Sequence, residues 1–370
     1  MKILFICAFG SIHAQRWVRY FNDAGNEVHV LVIDKAFEIK IEGVKTHYIP
    51  VEGIKFPLLD YLTRYKMFLA KLKIFLNELK PDIVHIHQVN YHAFAFSRCN
   101  YHPFVLTAWG SDILIRPKKS LRFRYIAKKV IKNADIITCD ANHMKKALIN
   151  LGADSNRIKI IYFGTDLTIF NPENKDINIK RELGFKDNTP LVISLRVLDP
   201  IYNVSTFINC IPQVLEKHKE ARFIVVGSGS ESEMLRKLAE ELGVSDYVIF
   251  TGRVSDEDLI RYTASADIYV STSLSDAGLS ASTAEAMACK VPVIITDFGD
   301  NHHWVKDGER GLLFPMKDNK KLSEKVNYLL DNPKTASKLG KAAYVFIKEN
   351  NNWHREMEKM SGIYKEIISK

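Results

Sequence analysis

The stretch Ser275-Asp276-Ala277-Gly278-Leu279-Ser280-Ala281-Ser282-Thr283-Ala284-Glu285-Ala286-Met287-Ala288-Cys289-Lys290-Val291-Pro292-Val293-Ile294-Ile295 reads in three parts. A loop of small residues leads into a short helix, and the helix into a buried strand. Backbone N–H groups at the helix start, together with the helix dipole, favour an anion. Glu285 is the one carboxylate on an otherwise small and apolar helical segment. An acid in that setting needs a partner, and a ligand hydroxyl is a good one. The pairing suits a phosphorylated, hydroxyl-rich molecule such as a nucleotide sugar.

Outward from this stretch, short apolar runs alternate with longer amphipathic ones. In the first half, strands are predicted at 2–8, 27–33, 46–50, 83–87, 104–107, 136–138 and 158–162. Helices are predicted between them at 14–24, 59–79, 121–133 and 141–151. A polar segment from Asn171 to Lys180 is the best linker candidate. The alternation then restarts, with strands at 191–195, 222–226, 248–250, 268–270, 291–295 and 311–314 and helices at 205–217, 230–242, 255–264, 280–288 and 320–331. Repeated strand, helix, strand is the signature of a parallel sheet covered by helices. The expected fold class is α/β: two doubly wound Rossmann-like domains facing a central cleft, at 1–172 and 185–349, with a tail helix at 350–370 packing back on the first. A length of 370 residues fits two cores better than one.

Composition is that of a globular protein, 46% hydrophobic and 26% charged. No apolar run reaches the ~18–20 residues that cross a bilayer. The apolar N-terminus, Met1 to Gly10, is read as a first buried strand because a helical pattern follows it, not a cleavage site. Cys7, Cys99, Cys139, Cys210 and Cys289 are odd in number and without metal-ligand spacing, which fits reduced thiols in a cytoplasm. The net charge of +9 is partly local. Between Arg116 and Lys132 lie eight basic residues and no acid. Helical spacing puts Phe123, Ile126, Ala127, Val130 and Ile131 on one side. Either that stripe faces the core and the basic face is solvated, or the helix lies on an anionic membrane surface. No nucleic-acid motif accompanies it, and nucleic acid is not expected as a partner.

Ligands of doubly wound sheets bind beyond the carboxyl ends of the strands, so residues just after predicted strands are the candidates. After the first strand, Gly10 and Ser11 form a turn into a helix bearing His13 and Arg16. Their backbone can approach a ligand, or Ser11 simply caps the helix. After strand 104–107, the turn Trp109-Gly110-Ser111-Asp112 places Asp112 at the cleft mouth, or makes it a cap. His85 and His87 share a strand face, but no third ligand at matching spacing makes them a metal site. In the second half, Arg196 follows strand 191–195; a guanidinium there is well placed for a diphosphate. Gly227 and Gly229 form a turn that brings backbone close to a ligand. Gly252 and Arg253 end another strand and offer backbone groups to a base. Asp276, Gly278, Leu279, Ser280 and Glu285 complete the set.

With these motifs in order, the chain resembles the retaining GT-B glycosyltransferases of family 4 (glycosyl transferases group 1). The resemblance rests on Ser11-Ile12-His13 with Arg16-Trp17, Trp109-Gly110-Ser111-Asp112, Tyr162-Phe163-Gly164-Thr165-Asp166, Ser194-Leu195-Arg196, Val226-Gly227-Ser228-Gly229, Phe250-Thr251-Gly252-Arg253, Glu285-Ala286-Met287-Ala288 with Pro292-Val293, and Gly308 to Pro315. It implies transfer of a sugar from a UDP- or GDP-sugar to a glycan or lipid-linked acceptor with retention of configuration, in building surface polysaccharide, lipopolysaccharide or other glycoconjugates. It implies a donor bound on the second domain, an acceptor on the first, and neither metal nor cofactor beyond the donor. Arg196, Glu285 and Asp112 are the expected catalytic residues, with Glu285 binding the donor ribose hydroxyls. The enzyme is expected in the cytoplasm, peripheral on the inner face of the membrane through residues 116–132.

Three departures stand out. Ile201 and Tyr202 occupy the region where the family commonly has a lysine. The first acid of the family's paired-acid spacing falls on Ala277, with Asp276 one residue away. Trp109 stands where a histidine is common. These keep two other readings open: a catalytically silent nucleotide-sugar-binding protein, and a nucleotide-sugar 2-epimerase on the same fold.

Overall fold

The computed structural model describes residues 1–32, 40–50, 57–276 and 278–369, the side chains of 57–62 excepted. Ile33 of the second predicted strand and Ala277 lie outside the described residues. The chain forms two compact units. One is Met1–Tyr162 with Arg355–Lys370; the other is Phe163–His354.

The first unit is built on a seven-stranded parallel sheet. Its strands are β1 (Lys2–Cys7), β2 (Glu27–Val32), β3 (Lys45–His47), β4 (Ile83–His87), β5 (Phe104–Thr107), β6 (Ile136–Cys139) and β7 (Ile158–Ile160). Their spatial order is β3-β2-β1-β4-β5-β6-β7. The central strands read as near-continuous apolar runs because both faces are covered: Ile3, Leu4, Phe5, Ile83, Val84, Val105 and Leu106 are each at most 1% exposed. The helix Leu121–Asn133 buries Phe123, Ile126, Ala127, Val130 and Ile131. The apolar side of this helix is spent on the protein's own core, and its basic side faces outward. Leu121 and Tyr125 stay exposed among the basic residues.

The second unit holds six parallel strands: β8 (Leu191–Leu195), β9 (Arg222–Val226), β10 (Val248–Gly252), β11 (Ile268–Ser271), β12 (Val293–Thr296) and β13 (Leu312–Phe314). Their order is β10-β9-β8-β11-β12-β13. Its core joins Val192, Phe223, Val225, Val270 and Phe314 of the sheet to Phe207, Ile211, Leu322 and Val326 of two covering helices. Each fully buried side chain of this size contributes roughly 1.5–3 kcal/mol.

The polar segment read as a linker is folded onto the second unit. Asp176 accepts from Arg261 Nε (2.9 Å) and Nη2 (2.6 Å), and its backbone N–H donates to Ser265 Oγ (2.9 Å). Lys180 Nζ reaches Asp267 at 2.8 Å. Composition alone suggested solvation, but these charges have partners about 90 residues away in the chain. The short helices Tyr91–Phe96, Ser111–Leu114, Arg116–Lys119, Ile179–Glu182 and Asn301–Trp304, and the long helix Pro333–Asn350, were not predicted. The last helix, Trp353–Ile368, belongs from Arg355 onward to the first unit. Its Tyr364 is fully buried, with its ring 4.8 Å from that of Phe21.

Helix Pro333–Asn350 seats its Gly340 against the turn before β12. A Cβ on Gly340 would lie 2.1 Å from the Lys290 carbonyl oxygen and 2.9 Å from its carbon. Backbone on both sides leaves nothing flexible to yield. Gly340→Ala is therefore expected to lower stability by about 2–4 kcal/mol, read as a shift in the denaturant midpoint without change in slope.

Candidate functional site

In an open parallel sheet, the crevice lies at the carboxyl edge where the strand order reverses. In the second unit that point is between β8 and β11. Arg196 follows β8 directly, and Ser273 and Asp276 follow β11. The structure brings them together. The guanidinium Nη2 pairs with Asp276 Oδ1 and lies 3.4 Å from Ser273 Oγ, while Nη1 lies 3.4 Å from Ser282 Oγ. The Arg196 side chain is only 8% exposed and that of Asp276 12%. Burial opposes the charge on Arg196, but the attraction of Asp276, with lesser contributions from Tyr269 and Tyr202, outweighs it and carries the guanidinium above its ordinary pKa. Removing one member of so buried a pair leaves the other charge uncompensated, at a cost of about 3–5 kcal/mol.

The departure at Tyr202 has a structural counterpart. Its ring lies under the guanidinium, 4.4 Å from Arg196 Cζ, a cation–π contact. Tyr202 is held there by its own carbonyl, which accepts from Thr272 Oγ1 (3.0 Å), and by Ile201, whose carbonyl accepts from Leu274 N–H (2.9 Å). From Ser282 a chain of hydroxyls runs on: to Tyr269 Oη (2.8 Å), to Thr283 Oγ1 (3.4 Å) and to Ser280 Oγ (2.7 Å). Ser280 is the N-cap of helix Ala281–Ala288, accepting from Thr283 N–H at 3.3 Å. The network thus ties the guanidinium to the helix start. The side chains of Tyr202, Tyr269, Ser273 and Ser282 were not among the sequence candidates. Their only sequence signal is that they lie on or follow strands flanking the reversal point, or open the helix beside it.

Glu285 lies one turn into that helix and is half-buried. Burial first, and then the charge of Glu285, pushes the Cys289 thiol up to about 12. Gly278 and Leu279 are buried in the loop before Ser280. Gly227 and Gly229 serve the crossing of two backbone segments. A Cβ on Gly227, where φ is +133°, would lie 2.0 Å from the Arg196 carbonyl oxygen, and one on Gly229 would lie 2.4 Å from that of Leu198. Their N–H groups donate to Gly252 O (2.9 Å) and Ser232 Oγ (3.0 Å). Gly252 ends β10 with φ +69°, and Arg253 beside it is exposed.

The first unit reverses its order between β1 and β4. Gly10 is exposed in the turn after β1, and Ser11 is the N-cap of helix Ile12–Asp23 without a side-chain capping bond. Asp112 has a different place from the open position suggested by the sequence. It is 2% exposed, and its carboxylate accepts from Val89 N–H (2.8 Å), Trp109 N–H (3.1 Å) and Gly110 N–H (2.9 Å). Burial raises its pKa while these bonds resist. It shapes the loop and ties the end of β4 to that of β5. His87, 1% exposed, is boxed by the rings of Phe5, Trp17, His85 and Trp109, with neither ring nitrogen hydrogen-bonded. His85 bonds Tyr364 Oη and Thr107 Oγ1. Among the described residues, no group of three or more His, Cys, Asp or Glu is placed to share a metal ion. No described helix is long and apolar enough to cross a membrane.

A doubly wound unit with a buried cation at its reversal point is the arrangement of an α/β protein that binds nucleotides or other anions. The comparisons make this more specific. A family model described as glycosyl transferase 4-like matches residues 2–141, and one described as glycosyl transferases group 1 matches residues 175–346. The chain belongs to the family 4, group 1 glycosyltransferases, with GT-B architecture. Among curated relatives, a GDP-mannose-dependent monoacylated alpha-(1-6)-phosphatidylinositol monomannoside mannosyltransferase of Corynebacterium glutamicum is 29% identical over 69% of this chain and 66% of its own. An uncharacterized glycosyltransferase of Methanocaldococcus jannaschii is 27% identical over 68% of this chain. This chain spans only 64% of that relative's length. Among solved structures, the sucrose-phosphate synthase of Thermosynechococcus elongatus superposes with a TM-score of 0.84 at 18% identity, over 99% of both chains. HepE of Anabaena in complex with UDP-glucose gives 0.82 at 18% identity, over 99% of this chain and 100% of its own.

The aromatic box has a pH consequence. Burial and the nearby Arg16 hold His13 down to about 4; burial and His13 hold His87 to about 3. An unfolded histidine takes a proton near 6.5, which the folded unit refuses. Stability is therefore intact above pH 6.5 and is lost as the pH falls towards the native values, by about 2 kcal/mol at pH 5 for His87 alone. Urea unfolding between pH 7 and 5 should show this slope in wild type and a shallower one in His87→Phe.

Proposed function

We propose that this protein is a retaining glycosyltransferase that takes a sugar from a nucleoside diphosphate sugar and passes it to a glycan or lipid-linked acceptor. The observation that carries the reading is Arg196: a guanidinium anchored at the reversal point of the second unit, joined by hydroxyls to a helix start. As the diphosphate leaves, negative charge grows on its oxygens. A preorganised guanidinium and backbone N–H groups at residues 280–282 would stabilise it in the role a metal ion plays elsewhere. Glu285, one turn further along, would accept hydrogen bonds from the donor ribose. Gly278, Leu279, Gly252 and Arg253 would line the remaining donor surface.

The relatives and structural neighbours support a choice between two donor bases. The C. glutamicum relative is GDP-mannose-dependent, and the HepE structure holds UDP-glucose. That relative's acceptor is a phosphatidylinositol mannoside, which favours a lipid-held acceptor here. The exposed basic face of helix Leu121–Asn133, with Leu121 83% and Tyr125 52% exposed, would draw the protein to an anionic membrane surface, at ~1 kcal/mol per basic residue. Its role would then lie in building surface polysaccharide or another glycoconjugate.

Purified protein assayed with UDP- and GDP-sugars should release the matching nucleoside diphosphate, equally well with and without EDTA. The anomeric configuration of the product, read by NMR, should match that of the donor. Arg196→Ala is expected to lower turnover ~10²- to 10³-fold, the loss typical of removing one such stabilising donor. Glu285→Ala should weaken nucleotide binding ~10- to 100-fold, as expected for lost hydrogen bonds to a charged group. Normal donor turnover in Arg196→Ala would sink the reading.

A further inference from the structure

The Arg196 guanidinium has almost no surface left to offer a ligand. Its side chain is 8% exposed, Nε is buried without a hydrogen-bond partner, Nη1 faces Ser282, and Nη2 faces Ser273 and Asp276. Tyr202 covers the flat face. Of these neighbours, Tyr202 is pinned by backbone bonds to the β11 end, Ser273 bonds the carbonyl of Ser275, and Ser282 bonds Tyr269. Asp276 alone carries a charge of the kind a phosphate would bring, and it comes from the loop between β11 and helix Ala281–Ala288.

We propose that Asp276 is an internal stand-in for the donor diphosphate: its carboxylate occupies Nη2 of Arg196 in the ligand-free protein and must be displaced for the donor to bind. Two anions cannot share one guanidinium edge in a site this dry without strong repulsion. Donor binding is thus an exchange of one anion for another. The released carboxylate swings away with its loop, so occupancy of the phosphate position is read out in the segment that leads to Ser280 and Glu285. The cost of the exchange lowers affinity for the product nucleotide, which favours release after transfer.

The inference rests on the donor-site reading above, and one set of titrations separates the two. Binding of UDP and of GDP is measured by calorimetry on wild type, Asp276→Asn, Asp276→Ala and Arg196→Ala. The better nucleotide should bind Asp276→Asn about tenfold more tightly than wild type, because the guanidinium then waits unneutralised. Asp276→Ala should do the same, so a fault in one variant's folding, checked by circular dichroism, does not decide the result. Arg196→Ala should bind at least tenfold more weakly than wild type. If wild type binds and both Asp276 variants bind no better or more weakly, the stand-in role is overturned while the donor site survives. If no variant binds either nucleotide, both readings fall. If, in the same titrations repeated with UDP-glucose and GDP-mannose, Asp276→Asn weakens only nucleotide-sugar binding and leaves UDP or GDP unchanged, Asp276 contacts the sugar and the proposal is wrong.

Discussion

Every strand in each sheet points the same way, and each sheet reverses its strand order once. That constraint governs where chemistry can occur. Parallel strands covered on both faces must be apolar along their length, so polar groups are driven to the strand ends. At the reversal point the connections leave on opposite faces, and the two central strands end with no chain bridging them. In the second unit these are β8 and β11, and the polar groups found there are Arg196, Ser273 and Asp276. In the first they are β1 and β4, with Gly10 after one and His87 ending the other.

Two aspartates near strand ends are held in different ways. Asp112 spends its oxygens on backbone N–H groups of Val89, Trp109 and Gly110 and is closed to solvent. Its energy goes into loop shape. Asp276 spends its charge on one side chain, Arg196, across an interface that backbone does not close. A buried ion pair contributes little net stability against well-packed apolar side chains. Under the proposed function, its presence at the reversal point serves binding. The hydroxyl chain from Ser282 through Tyr269 and Thr283 to Ser280 fixes the guanidinium relative to the helix start that Ser280 caps.

Much of the fold was legible because it depends on periodicity. Predicted strands such as 83–87, 104–107, 191–195 and 222–226 coincide with observed ones, and the buried stripe of helix Leu121–Asn133 is the one its spacing gave. What periodicity missed was short or polar. Helices of four to six residues, such as Ser111–Leu114 and Tyr91–Phe96, hold too few turns to show a stripe. The segment around Asp176 looked like a linker because its partners, Arg261 and Ser265, are distant in sequence. In the site, Arg196 and Asp276 were visible as residue types after strands, but Tyr202 read as the absence of a cation and not as the ring beneath one.

The sequence by itself determined the two alternating α/β halves, the strand ends worth inspecting and the family, because these follow from local pattern and ordered motifs. Only the tertiary structure decided which of the candidate residues meet. Gly227 and Gly229 turned out to be spaces for the backbone of Arg196 and Leu198, Asp112 a loop anchor, and Asp276 the partner of Arg196. The physical reason is that each role depends on an approach of a few ångströms between segments 23 to 80 residues apart. Such approaches are set by strand order, and strand order leaves no local mark in the chain.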